Sequence, residues 1–218
     1  MKQKYDSYIF LDLEMNYLKG VKDTEIIQIS AIKLDRNFKE IDSFNNYIKP
    51  EYNHIYKEIS NLTGITDKKV ENCKGFKIIM DSFLEWLGDN YIAFAWSNND
   101  CSQIKKESTM KNYQHEKLEY LTSHLFDFQK EFGDILELND GKRISLDFAL
   151  DISGVKFKGK RHNALYDAKN TAYLYKISRN ETFKENLKKS SNFINSNTKI
   201  TIGDLFDFSK INLEEDKN

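Results

Sequence analysis

The chain has two cysteines, Cys73 and Cys101, in 218 residues, too few for a disulfide framework and at no paired metal spacing. They read as reduced thiols of a cytoplasmic protein. Net charge is also lacking. Thirty-three Lys and Arg against 34 Asp and Glu leave −1, which excludes a protein that coats nucleic acid with its whole surface. A local basic patch stays compatible with that sum. Arginine is scarce, since only Arg36, Arg143, Arg161 and Arg179 accompany the lysines. No apolar run approaches a membrane span, so no membrane partner is expected. The start MKQKYDSYIFLDLEM is interrupted by Asp12 and Glu14 and does not read as a signal peptide.

What is present argues for folding. Hydrophobic residues make up 39% and aromatics 13%, which excludes general disorder. The length suits one domain able to bury a core without staples. Residues 8–15, YIFLDLEM, form a run of strand length, followed by a loop or turn around Gly20. EIIQISAIKL (25–34) is rich in β-branched residues, and EIDSFNNYIKP (40–50) alternates until Pro50, the one proline, ends it. These three predict an antiparallel meander. Phe76, Ile79, Met80, Phe83, Leu84 and Leu87 recur at helical spacing, and Gly88 stops that helix. YIAFAWS (91–97) predicts a strand, 101–123 two helices with a break, and HLFDFQKEF (124–132) another strand. Ser145 is a candidate N-cap for SLDFALDIS. Residues 163–178 predict a helix with Ala164, Ala168 and Ala172 on one face. This order implies an α/β fold, a mixed sheet flanked by helices. Residues 1–180 are expected to form the domain. Residues 181–218 are expected to be a polar extension that docks on it, with an apolar patch at Ile200–Phe208.

Four acids call for explanation. Asp12 and Glu14 stand two apart in an apolar strand, so both carboxylates point the same way, roughly 6–7 Å apart at the backbone. Charge buried on a strand is costly unless compensated. A solvated strand end would explain the pair, and so would a site for a hard divalent cation. Asp100 follows the YIAFAWS strand, where open α/β sheets place ligands, although it also suits a helix cap. Asp167 lies among small residues of the last helix, five after His162. A surface ion pair and a capping histidine would account for those two.

Taken together in this order, FLDLEMN (10–16), WSNND (96–100) and HNALYDA (162–168) resemble the histidine-bearing branch of the DEDD 3′-5′ exonucleases. LTGIT (62–66) matches the family's segment beside the substrate's 3′ end. The resemblance extends over residues 5–178. It implies a ribonuclease H-like fold and two Mg²⁺ or Mn²⁺ ions that clamp the scissile phosphate. By this likeness Asp12 bridges the ions, Glu14 and Asp167 hold the ion carrying the attacking water, Asp100 supports the second ion, and His162 is the general base. The likeness departs at Met15 and Asn16, where the family's usual pattern has threonines, and this bears on contacts to the terminal nucleotide. Met15, Asn16, Leu62, Thr63, Gly64 and Ile65 are the expected contacts there.

Lys156, Lys158, Lys160 and Arg161 precede His162 without an acid among them. Lys160 and Arg161 are the candidates to receive the phosphate backbone, although a solvated loop has the same composition. Lys105 and Lys106 suit a solvated helix face, and Trp96 suits the core better than a stacking platform. The expected partner is a nucleic-acid 3′ end, single-stranded RNA or a short oligonucleotide first. A DNA exonuclease of proofreading or repair type is the enzymatic alternative, and an inactive end-binding module the alternative of another class.

Overall fold

The computed structural model describes residues 5–18, 23–138 and 142–196. Strands β1 (Ser7–Tyr17), β2 (Thr24–Leu34) and β3 (Glu40–Tyr47) form the antiparallel meander, with Asp12 opposite Ser30 and Ala31 opposite Phe44. On the other side of β1 lies β4 (Tyr91–Ala95), parallel to it, and then β5 (Leu125–Asp127), parallel to β4. The sheet order is β3-β2-β1-β4-β5.

Alternation along β1 sorts its side chains between two cores. Ile9, Leu11 and Leu13 face α3 (Phe76–Leu87), whose Phe76, Met80, Phe83 and Leu84 are fully buried. Helices α4 (Asn99–Met110) and α5 (Glu116–Ser123) add Ile104 and Leu121 to that side. Phe10 points the other way. It joins Phe94, Phe128 and Phe132 of α6 (Phe128–Ile135), Ala149 and Leu150 of α7 (Leu146–Ile152), and Tyr175 of α8 (Ala164–Ser178). The Tyr175 ring centroid lies 4.5 Å from Phe94 and 5.1 Å from Phe10. Burial of such rings supplies about 2–3 kcal/mol each. Ala164, Ala168 and Ala172 let α8 lie close against the sheet. Asp12 and Glu14 continue the Phe10 face of β1 toward this helix.

A smaller cluster, Ile27, Ile55, Ile59, Ile65 and Val70, sits under α1 (Lys57–Thr63) and α2 (Asp67–Val70). It depends on a bulge: Glu14 pairs with Gln28 but Met15 pairs with Ile26, leaving Ile27 as the extra residue on β2. Bulges re-aim side chains beside functional sites. Here Ile27 enters the small cluster while Ile26 stays in the main core.

The sheet and its flanking helices have the expected class, and the expected helix boundaries at 76–87 and 163–178 agree within a residue. The strand expected over 124–132 is corrected to three residues. The Asp127 carboxylate accepts from the Lys130 N–H at 2.9 Å and caps a helix start, and Phe128 and Phe132 then follow helical spacing into the core. The strand expected over 91–97 ends at Ala95. The polar stretch after Asn180 contains α9 (Glu181–Ser196), whose Phe183 and Leu187, four apart, pack on the Phe10 side of the sheet. Gly20 and Ile200–Phe208 lie outside the described residues. Among those described, no helix is long and apolar enough to cross a membrane.

Candidate active site

Pairing of β1 with β4 ends at Phe10 and Phe94, because β4 leaves the sheet after Ala95. Three residues further on, the Leu13 N–H donates instead to Asp100 Oδ1 at 3.2 Å. Asp100 stands in the first turn of α4, so a side chain takes over where a strand has stopped. That bond fastens Asp100 to the strand between Asp12 and Glu14. From above, α8 delivers Asp167. Carboxylate oxygens of Asp12, Glu14 and Asp167 all lie within 4.8 Å of one another.

Such crowding disfavours ionisation. Burial, then the charges of Asp100, Asp167 and Glu14, holds the Asp12 carboxyl well above its ordinary value. Burial together with Asp167 and Asp100 raises Glu14 to about 8, against an opposing pull from Lys160. Asp100 rises to about 7, mainly through burial. Asp167 rises to about 6 through burial, held back by the Asn163 N–H and by His162. At neutral pH this pocket favours whatever brings positive charge. Hard divalent cations bind clustered carboxylate oxygens, so the donor set fits them.

His162 completes the constellation at the end of an irregular loop just before α8. It is exposed, and its φ of +55° lies in the left-handed region. The loop and α7 wall a cleft of about 260 Å³ whose lining includes Asp12, Glu14, Asp167 and His162. The family model for Exonuclease (RNase_T) matches residues 9–175, which span both the sheet and this cleft. The chain belongs to the RNase_T exonuclease family.

Known members place it further. "3'-5' exoribonuclease 1" of Rattus norvegicus is 25% identical over 178 residues, covering 77% of this chain and 51% of the relative. "DNA polymerase III PolC-type" of Listeria innocua is 28% identical over 183 residues, covering 77% of this chain and 11% of the relative. The chain thus spans about half the length of the first relative and a ninth of the second. Among solved structures, the nuclease domain of 3'hExo, described as a DEDDh family member bound to rAMP, superposes with a TM-score of 0.71 at 20% identity, over 80% of this chain and 92% of that one. E. coli Exonuclease I in complex with a dA16 oligonucleotide gives 0.62 at 16%, over 83% and 42%. The fold is therefore ribonuclease H-like, as in these exonucleases.

Within this exonuclease fold the other expected contact residues take varied positions. Leu62, 47% exposed, and Met15, partly exposed, present apolar surface. Thr63 is buried, its hydroxyl donating to the Ile59 carbonyl and accepting from the Ile65 N–H, and Ile65 belongs to the small core. Asn16 is fully buried. Its Oδ1 accepts from the Tyr56 N–H at 3.0 Å and its Nδ2 donates to the His54 carbonyl at 3.2 Å. The structure thus gives Asn16 the task of fixing the segment that leads into α1. Lys160 Nζ donates to the Thr63 carbonyl at 3.1 Å, directly over the open face of Gly64, which ends α1 at φ +77°. This contact joins the histidine loop to the LTGIT segment. Arg161 pairs with Asp147 of α7, Nε to Oδ1 at 2.7 Å, and lies over the Phe157 ring. Trp96 is 9% exposed and packs on Phe128 and Phe132, on the core side of the cleft.

Sequence reasoning missed Asp147, which lines the cleft beside Asp167. Its signal was faint, an acid two after the Ser145 cap on a short helix, where first-turn acids are common.

Proposed function

We propose that the protein is a metal-dependent 3′-5′ exonuclease that releases nucleoside 5′-monophosphates from single-stranded ends, with RNA or short oligonucleotides as the favoured substrate. The observation that carries this reading is the convergence of Asp12, Glu14 and Asp167, with Asp100 fastened beside them and His162 at the cleft mouth. Family membership and the exoribonuclease relative support it.

Asp12, Glu14, Asp167 and Asp100 would hold two Mg²⁺ or Mn²⁺ ions. Bound there, such ions lower the pKa of water and stabilise charge on the attacking and leaving oxygens of a phosphodiester. His162 accepts the proton of the attacking water as its oxygen bonds to phosphorus. The bond from phosphorus to the 3′ oxygen of the penultimate nucleotide breaks, and that oxygen takes a proton from solvent. A 5′-monophosphate and a strand one nucleotide shorter, again with a 3′ hydroxyl, result. Lys160, whose Nζ donates to the Thr63 carbonyl and whose charge opposes the rise of Glu14, would meet a substrate phosphate. Met15 and Leu62 offer apolar contact to the terminal base. Arg161 serves the phosphate backbone once it exchanges Asp147 for it. Two free cysteines suit a reducing compartment, and cytoplasmic action is part of the proposal.

DNA is the second reading, because the family relatives include polymerase III of the PolC type. A panel of single-stranded RNA, single-stranded DNA, a duplex and a dinucleotide, each with Mg²⁺ or Mn²⁺, separates them. Faster removal from RNA or the dinucleotide supports the first reading. Faster removal from DNA establishes the second, and no removal from any of them refutes both.

A further inference from the structure

The general base of the proposed reaction sits on a loop without regular secondary structure. Its position must be set by side chains. Val155 anchors the loop's start in the core, its N–H donating to the Leu150 carbonyl at 3.0 Å. At the far end, Asp167 Oδ2 accepts from the Asn163 N–H at 3.0 Å. Between them stands Lys158, four residues before His162. Both polar groups of its backbone go to one buried side chain, Asn170, which is 3% exposed. Asn170 Oδ1 accepts from the Lys158 N–H at 3.0 Å and Nδ2 donates to the Lys158 carbonyl at 2.9 Å. The same Nδ2 also donates to the Tyr166 carbonyl at 2.7 Å. The amide therefore grips the loop as a neighbouring strand would.

The residues between Lys158 and His162 have little freedom. Gly159, at φ +94°, lies flat on the Tyr166 ring, where any Cβ would collide with the ring. Lys160 is tied to Thr63 and Arg161 to Asp147. His162 then adopts its left-handed backbone conformation, which is unfavourable for a residue with a side chain and persists only where the surroundings impose it. Asn170 lies three residues after Asp167 on α8, so one helix face carries an acid of the cluster and the grip on the loop.

We propose that Asn170 is a positioning residue for His162, fixing the general base relative to Asp167 through the backbone of Lys158. The proposal rests on the exonuclease reading. Its test compares Asn170→Ala and the isosteric Asn170→Asp, each alone and combined with His162→Ala. The assay measures kcat and KM on a 5′-labelled single-stranded RNA with Mn²⁺, alongside the Mn²⁺-induced rise in melting temperature. Misplacing a catalytic group by about an ångström can cost up to ~100-fold, so kcat is expected to fall at least about tenfold. KM and the Mn²⁺-induced rise should be preserved. The His162→Ala enzyme should lose nothing more when Asn170 is also changed. The Asp variant, which keeps the volume and one acceptor but loses both donors, carries the test if the Ala variant fails to fold. An unchanged kcat overturns the proposal. So does an equal loss in the His162→Ala background, or disappearance of the Mn²⁺ effect, because each assigns Asn170 a general structural role. Those results leave the exonuclease reading intact, whereas a wild-type protein inactive on every 3′ end refutes that reading and this proposal with it.

Discussion

Asp100 accepts the Leu13 backbone N–H at 3.2 Å, so the acid that comes after the fourth strand is bolted to the first strand between the two acids that strand carries. The bond has a hydrogen-bonding half and a charge half. Asp100→Asn keeps an oxygen for the Leu13 N–H and removes the charge. Its melting temperature should stay near wild type or rise, while nuclease activity falls at least about 100-fold, as expected for loss of a charge that acts at the reaction centre. Asp100→Ala orphans a buried N–H and should also lose about 1–3 kcal/mol in chemical denaturation.

Metal should stabilise this protein. Two like charges 4 Å apart repel by roughly 4 kcal/mol at an effective dielectric of 20, and cations relieve that. At 100 times Kd a ligand adds about 2.7 kcal/mol, roughly 5–10 °C for a domain of this size. Mg²⁺ or Mn²⁺ should produce such a rise in thermal denaturation, and Asp12→Asn should abolish it together with activity. His162→Ala should keep the rise while kcat falls about 10²–10⁴-fold.

Metal-free stability should depend on pH with an unusual sign. Glu14 at about 8, Asp100 at about 7 and Asp167 at about 6 all bind protons more tightly folded than unfolded, where carboxyls titrate near 4. The folded state therefore holds more protons than the unfolded one between about pH 4 and pH 8, and stability falls as pH rises through that window. In EDTA, denaturation midpoints at pH 5 should exceed those at pH 8 by more in wild type than in Glu14→Gln. Because metal must displace these protons, the Mn²⁺-induced rise should grow over the same interval.

Gly64 and Lys160 form a separable pair. Gly64→Ala puts a Cβ where the Lys160 ammonium lies and strains a φ of +77°. It should cost about 1–2 kcal/mol of stability. It should also raise KM, as Lys160→Met should. If both variants bind substrate like wild type, Lys160 does not meet the phosphate.

Away from the cleft, Lys111 is almost fully buried against Glu107 at 2.9 Å, Glu51 at 3.3 Å and Glu25 at 3.7 Å. Glu25 in turn accepts from the Glu51 and Tyr52 N–H groups that lead toward α1. Lys111→Met leaves buried carboxylates without a counter-charge and should destabilise by about 3–5 kcal/mol in urea denaturation.

The acids were legible in the sequence because their surroundings made them expensive. Asp12 and Glu14 interrupt a strand otherwise built of Ile, Phe and Leu, and Asp167 stands among alanines that hold a helix against the sheet. Residues whose partners come from distant loops left no such mark. Asn170 binds backbone groups and Asp147 a loop arginine, and Asn16, expected at the terminal nucleotide, binds the backbone before α1; what each binds is defined only after those loops have been brought to it. The α6 start was misread for a related reason: LFDF alternates like a strand, and only the Asp127 cap shows that the chain turns helical there. In α9, Phe183 and Leu187 are too few to register against the lysines and asparagines around them.

Asp12, Glu14, Asp100, Asp167 and His162 are proposed to act as one metal-dependent centre on a free 3′ end. The most direct measurement tracks a 5′-labelled single-stranded RNA with Mn²⁺ on a sequencing gel, beside the same strand bearing a 3′ phosphate and beside Asp12→Asn. Such a centre predicts a ladder shortened one nucleotide at a time from the 3′ end with release of 5′-monophosphates, strong inhibition by the 3′ phosphate, and no products from Asp12→Asn. Internal cuts, equal degradation of the blocked strand, or full activity in Asp12→Asn would contradict it.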